Sequence, residues 1–275
     1  MEAAAWGGRP VKVMEIFTSF QGEGTLVGVP QVMVRLRGCN LRCSYCDTPQ
    51  AREEEGPCLV RRREGEAERH ENPLHPGEAA ELVSSLWRDF FHSVSLTGGE
   101  PLLQAGELAS FLPMLKERGM PVYLETNGTL PRELARVVEW VDWIAMDLKL
   151  PGTQQGQDLL RTHLDFLEVA RGRRVILKMV VWEGVSEEEV ERFCRAAARA
   201  AGDSPLVLQP LSPAFGERAP GEEGAPLRGM ADAGPTAGRG GPAEATWLMG
   251  LCRVAGAYFP SLRVIPQVHR LWGIR

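Results

Sequence analysis

Short aliphatic and β-branched runs alternate along the chain with amphipathic stretches of helical period. Val32–Arg37, Ser93–Thr97, Pro121–Thr126, Trp143–Leu148, Val175–Val181 and Leu206–Gln209 predict six strands, and Val11–Phe17 is strand-like as well. Between them, Ala79, Leu82, Val83, Leu86 and Phe90 recur at helical spacing and predict one helix. Val190, Phe193, Cys194 and Ala197 predict another, opened by a capping box from Ser186 to Glu189. Repeated strand–helix units imply an α/β fold with a parallel sheet and helices outside it. Six strands are too few for a complete eight-stranded barrel. The expected architecture is therefore a partial (open) β/α barrel of about six mostly parallel strands, with a flat doubly wound sheet as the alternative. The chain reads as a single domain, residues 1–275.

Two stretches break the rhythm. Residues 51–75 carry the runs Glu53-Glu54-Glu55 and Arg61-Arg62-Arg63 with little periodicity, and read as a solvated, charged insertion. Residues 216–243 hold eight glycines and four prolines and read as a flexible loop. A helix resumes around Trp247–Tyr258, and a short apolar tail runs from Val264 to Arg275.

Bulk composition narrows the function classes. A net charge of −5 gives no basic face for nucleic acid. No run approaches the ~18 apolar residues of a membrane span, and Met1 to Pro10 lacks the apolar core of a signal peptide. The expected compartment is the cytoplasm, where clustered cysteines favour metal over disulfide.

The cluster in question is Cys39, Cys43 and Cys46, spaced C-x3-C-x2-C directly after a predicted strand. A structural zinc site wants four ligands and a disulfide two. Three thiolates on one loop suit three irons of a 4Fe–4S cube, leaving the fourth iron open to a small molecule. A zinc knuckle completed by a distant histidine is the competing reading. Cys194 and Cys252 fall on apolar helix faces and read as core, whereas Cys58 receives no role. Other strands end in polar groups as well: Thr97-Gly98-Gly99-Glu100-Pro101, Glu125-Thr126-Asn127-Gly128, Asp147-Leu148-Lys149 and Gln209-Pro210. Ligands bind at that edge of parallel α/β folds. The glycine pair would let a ligand approach, and Glu100 could accept a hydrogen bond from an ammonium. Gln21-Gly22-Glu23-Gly24 admits a dinucleotide-loop reading, but a strand rather than a helix follows it. Gln21 and Glu23 put an amide and a carboxylate there, and Arg35 offers a bidentate fork, with a surface arginine at a strand end as the competing reading.

The triple-cysteine loop, with Tyr45 before its last cysteine and Gly98-Gly99-Glu100-Pro101 at a strand end, resembles the radical S-adenosylmethionine superfamily. The stretch Glu15 to Gly24, then Arg35, Gly38-Cys39-Asn40-Leu41, Cys46-Asp47-Thr48 and Pro266-Gln267-Val268-His269-Arg270, resembles the 7-carboxy-7-deazaguanine synthase family within it. That resemblance implies a 4Fe–4S cluster, S-adenosylmethionine and magnesium. The implied reaction is conversion of 6-carboxy-5,6,7,8-tetrahydropterin to 7-carboxy-7-deazaguanine with loss of ammonia.

Carried over by residue, Cys39, Cys43 and Cys46 would hold the cluster and Thr48 the magnesium. Tyr45, Cys46, Asp47, Gly99, Glu100, Asp147, Lys149, Gln209, Pro210, Leu211 and Ser212 would surround the cofactor. Phe20, Gln21, Gly22, Glu23, Arg35, Thr97, His269 and Arg275 would contact the pterin. An electron donor such as flavodoxin and a homodimer are implied; nucleic-acid and membrane partners are not. A glycyl-radical activase, which shares the cysteine spacing, is the enzymatic alternative, and an iron–sulfur or zinc carrier the non-enzymatic one.

Overall fold

Each aliphatic run singled out above forms a strand, and all of them join one ten-stranded sheet. The structure is a computed structural model that describes residues 8–63, 66–211 and 242–274. Ser212 and Arg275, with residues 216–241 of the Gly/Pro-rich stretch, lie outside the described residues. In chain order the first elements are β1 (Val13–Phe20), β2 (Pro30–Leu36), β3 (Cys58–Arg63), β4 (Glu66–His70), α1 (Pro76–Leu86), β5 (Ser93–Gly98), α2 (Ala105–Glu117) and β6 (Val122–Thr126). There follow α3 (Pro131–Leu134), β7 (Trp143–Asp147), α4 (Leu160–Val169), β8 (Arg174–Val181), α5 (Glu187–Ala201), β9 (Leu206–Pro210), α6 (Pro242–Gly256), β10 (Arg263–Val264) and α7 (Val268–Trp272).

The strand order is β10-β9-β8-β7-β6-β5-β2-β1-β3-β4. From β2 to β10 every neighbouring pair is parallel. β1 runs antiparallel to β2, and β4 antiparallel to β3. Among the described residues β4 and β10 are the two ends of the order, so the sheet stays an open barrel.

The segment read as a solvated insertion contains a strand pair that extends the sheet beside β1. Its alternation is real but camouflaged. Cys58 and Val60 are fully buried on one face, while Arg61 and Arg62 after them are held by carboxylates of neighbouring strands, as in Arg62 Nε to Glu68 Oε1 at 2.8 Å. Phe90, placed on the stripe of the first predicted helix, lies beyond the end of α1 and is 69% exposed. The expected cap of α5 is present, with Ser186 Oγ accepting from Glu189 N at 3.1 Å.

Strand parity then divides the residues between two faces. Val32, Val34 and Leu36 of β2, Val94 and Leu96 of β5, Leu124 of β6, Ile144 and Met146 of β7, and Leu177 and Met179 of β8 enter the main core. The alternate positions form a small separate apolar layer, Tyr123, Ala145, Ile176 and Val207. Two residues further along those same strands the side chains turn polar: Glu125, Asp147, Lys178 and Gln209. The inner face therefore changes from oily to charged toward the carboxyl ends of the strands.

Candidate active site

The cysteine loop leaves β2 through Gly38, whose φ of +88° no other residue adopts easily. Gly38 N donates to Ala51 O at 2.7 Å and Arg52 Nη2 to Cys43 O at 3.2 Å, folding the loop back on itself. Asn127 Nδ2 donates to Asn40 Oδ1 at 2.9 Å and Asn40 Nδ2 to Thr129 Oγ1 at 2.8 Å, strapping it to the end of β6. None of the three thiols is in a disulfide, and all three line one pocket that opens to solvent.

The Gly-Gly-Glu strand end departs from its sequence reading. A Cβ on Gly99 would collide with the Gly38 carbonyl oxygen, and one on Gly98 with the Leu36 backbone. The glycines let the cysteine loop and the end of β5 pack backbone to backbone; Gly99 also reaches the pocket wall. Glu100 does not reach it. Its carboxyl is fully buried behind the wall and accepts from Leu102 N, Asn127 N and Thr126 Oγ1 at 3.1, 2.8 and 2.9 Å. Burial pushes it up to about 7. It binds three elements together rather than an ammonium.

Across the floor runs a ladder of alternating charge. Lys149 Nζ donates to Tyr45 OH at 2.8 Å and to Asp147 Oδ2 at 2.6 Å. Asp147 Oδ1 lies 3.3 Å from Lys178 Nζ, and Lys178 in turn pairs with Glu23. Asp147 and Lys178 are register partners on β7 and β8, so the sheet itself sets this contact. Burial opposes each charge. For Lys178 the neighbouring Asp147 and Glu23 outweigh it and hold the ammonium well above its usual value. For Asp147 the two lysines hold the carboxyl below its usual range.

The other half of the pocket is built around Glu125. Oε1 accepts from Gln21 Nε2 at 2.8 Å and Ser95 Oγ at 3.4 Å, and Oε2 from Thr97 Oγ1 at 2.8 Å. Gln21 spends its other N–H on Gln31 and its oxygen on Glu23 N, so it positions Glu125. Arg35 lies beside Thr97 in the β2–β5 register. Its Nε is held by Glu15 Oε1 at 2.9 Å and Nη1 reaches Thr48 Oγ1 at 3.3 Å, with the guanidinium on the pocket wall. The C-terminal segment closes the remaining side. Val268 N donates to Gly22 O at 2.9 Å and Gln267 Nε2 to Glu23 Oε1 at 2.9 Å. A Cβ on Gly22 would lie 2.5 Å from His269 Cβ and Nδ1, which explains that glycine. Phe20 at the mouth meets Trp272 edge to face, with ring centroids 6.4 Å apart. His269 Nε2 lies 3.5 Å from Asp47 Oδ2. Burial opposes the Asp47 charge, but hydrogen bonds from His269 and Thr48 prevail and hold its carboxyl well below the usual range.

The sequence-predicted site thus converges: its cysteines, Tyr45, Asp47, Thr48, Gly99, Asp147, Lys149, Gln209, Phe20, Gln21, Gly22, Glu23, Arg35, Thr97 and His269 all line this pocket. Pro210 and Leu211 lie beside it, Leu211 packed against the core. The donor set fits an iron–sulfur cluster, being three soft thiols without a fourth. It also fits a polar cofactor: among the described residues no donor reaches the buried Gln209 Oε1, which a bound ligand can satisfy.

A profile of the Radical SAM superfamily matches residues 33–197. A "7-carboxy-7-deazaguanine synthase" of Geobacter sulfurreducens is 40% identical over 94% of this chain and 96% of its own. The chain belongs to the 7-carboxy-7-deazaguanine synthase family. A member from Methanopyrus kandleri is 36% identical over 96% of this chain and 95% of its own. The crystal structure of QueE from Escherichia coli shares the fold with a TM-score of 0.55 at 19% identity, over 94% of each chain. As a radical SAM enzyme of this family, the protein uses a 4Fe–4S cluster and S-adenosylmethionine. Sequence reasoning gave no role to Glu125 and Gln267, although it placed one at a polar strand end and the other in the C-terminal motif, and it missed Lys178, for which the period-2 alternation with Ile176 was the available signal.

Proposed function

We propose that the protein converts 6-carboxy-5,6,7,8-tetrahydropterin to 7-carboxy-7-deazaguanine with loss of ammonia, assisted by magnesium. The observation that carries this reading is one pocket with a triple-cysteine loop at one end and an oriented Glu125–Arg35 pair at the other. When bound, the cluster and S-adenosylmethionine supply a one-electron cleavage whose 5′-deoxyadenosyl product takes a hydrogen atom from the substrate.

Cys39, Cys43 and Cys46 hold the cluster. Tyr45, Asp147, Lys149, Gly99 and Gln209 shape the cofactor's side of the pocket. The Glu125 carboxylate, its orientation fixed by Gln21, Ser95 and Thr97, accepts the adjacent N–H groups of the aminopyrimidinone edge. Arg35, its Nε fixed by Glu15, offers its outer edge to the substrate carboxylate. Thr48 presents its hydroxyl oxygen to magnesium beside Asp47, a hard-oxygen corner suited to an ion that keeps waters and takes substrate oxygens. His269 and Phe20 cover the substrate and limit water entry. Glu23 acts from behind, since its oxygens accept from Lys178, Gln209 and Gln267. Family resemblance adds a low-potential one-electron donor such as flavodoxin, a homodimer and a cytoplasmic setting. Among the described residues no helix is long and apolar enough to cross a membrane.

Anaerobic turnover of the reconstituted enzyme with the pterin, with and without magnesium, tests the reading by product mass. Cleavage of S-adenosylmethionine with the pterin left unchanged would defeat it.

A further inference from the structure

We infer that Gln154 sets the reduction potential of the cluster by donating a hydrogen bond to the sulfur of Cys43. Its Nε2 lies 3.1 Å from Cys43 Sγ and 3.4 Å from Thr153 Oγ1, and the residue is 5% exposed. The turn that aims it is tightly tied. Thr153 N donates to Leu150 O, and Gln154 N and Gly156 N both donate to Pro151 O, each at 2.9 Å. Thr153 Oγ1 adds a bond to Leu150 O at 2.7 Å. The next residue, Gln155, has φ +56°, the one positive-φ non-glycine among the described residues. This turn follows Lys149 directly, so Cys43 is flanked by the charge ladder on one side and a fixed amide dipole on the other.

A thiolate sulfur bound to one iron keeps lone pairs that accept an N–H. Reduction adds one electron from an external low-potential donor and breaks no bond, so the cluster gains one unit of negative charge. A dipole with its positive end at the sulfur favours that state, more strongly in a buried, low-dielectric setting. Gln154 therefore makes the cluster easier to reduce. It is a positioning and tuning residue, remote from the substrate.

The inference rests on the cluster being held by Cys39, Cys43 and Cys46. Cys43→Ala checks that separately: retained iron, sulfide and a reduced-cluster signal in that variant would defeat the ligand assignment itself. The test proper is an EPR-monitored redox titration of reconstituted Gln154→Leu, which removes the donor at similar volume. At the parent's midpoint the variant is expected to show a reduced-to-oxidised ratio on the order of tenfold lower, equivalent to a shift of about 59 mV for one electron. Gln154→Glu, which exchanges the donor for an acceptor, should move it in the same direction. Gln154→His, which restores an N–H, should recover part of the shift. An unchanged or more positive midpoint in a fully iron-loaded Gln154→Leu protein overturns the inference. So does failure of both Gln154→Leu and Gln154→Glu to hold iron, which would make Gln154 a folding residue only.

Discussion

Replacing Glu15 by glutamine probes fold and substrate recognition at once. The carboxylate is 4% exposed and accepts from two arginines, Arg35 Nε at Oε1 and Arg61 Nε at Oε2, each at 2.9 Å. It thereby joins β1 to β2 on one side and to β3 on the other. Removing one partner of a fully buried ion pair costs about 3–5 kcal/mol, because the other charge is left uncompensated. Glutamine keeps one acceptor oxygen, and Arg61, with a quarter of its side chain exposed, can regain water. The expected loss is therefore about 2–3 kcal/mol in urea unfolding at pH 7.5.

The pH dependence follows from the direction of the shift. Burial alone would raise the Glu15 carboxyl, but the hydrogen bonds and charges of Arg61 and Arg35 hold it below 4.5. Its contribution is thus complete above pH 4.5 and fades as pH falls through the depressed folded value, so parent and variant should converge in acid. A second readout concerns Arg35, which loses the group that fixes its Nε edge. KM for the pterin should rise roughly tenfold, about 1.4 kcal/mol, while KM for S-adenosylmethionine holds. A variant within about 0.5 kcal/mol of the parent at pH 7.5 and unaltered in pterin KM would refute the argument.

Gly99→Ala drives a Cβ into the Gly38 carbonyl, backbone that cannot swing aside, and should cost about 1–3 kcal/mol and displace the cysteine loop. Iron content after anaerobic reconstitution reads the result, and full loading at parental stability would contradict it. Lys178→Met leaves Glu23 and Asp147 facing each other without the cation between them. Its kcat/KM for the pterin should drop at least tenfold, roughly 1.4 kcal/mol or more, and parental kinetics would sink the ladder argument. Thr48→Ala should abolish the stimulation of turnover by magnesium while leaving reductive cleavage of S-adenosylmethionine intact. Magnesium stimulation equal to the parent's would remove Thr48 from the metal site.

Much of this site was legible because the strands are. The six predicted strands become β2 and β5 to β9, adjacent in the sheet, and their polar ends meet at one edge. What stayed hidden had physical causes. Glu100 lies within the Gly-Gly-Glu-Pro motif and looks like a ligand, but Asn127 N and Leu102 N, 27 and 2 residues away, turn its carboxylate inward. Lys178 sits in Val175–Val181, where an aliphatic run reads as core on both faces. The hairpin of β3 and β4 was masked by its arginines, two of which serve as partners for Glu15 and Glu68. The segment from Arg263 onward was too short to show β10 and α7, although it carries Gln267 and His269 into the pocket.

The two ends of the pocket are mechanically one object. Glu23 follows Gln21, which holds Glu125, and Glu23 pairs with Lys178, which meets Asp147; Asp147 holds Lys149, which donates to Tyr45 in the cysteine loop. Every link is a hydrogen bond or ion pair between buried or half-buried groups, where a missing partner costs most. Register fixes its central link, because Asp147 and Lys178 are opposed on adjacent parallel strands. A shift of the cysteine loop is therefore felt by the groups that orient the pterin. Double-mutant cycles should show it: Lys149→Met and Gln21→Leu, on opposite sides of the pocket, should couple by about 0.5 kcal/mol or more in pterin kcat/KM. Strict additivity would mean that cluster and substrate are held by two independent frames.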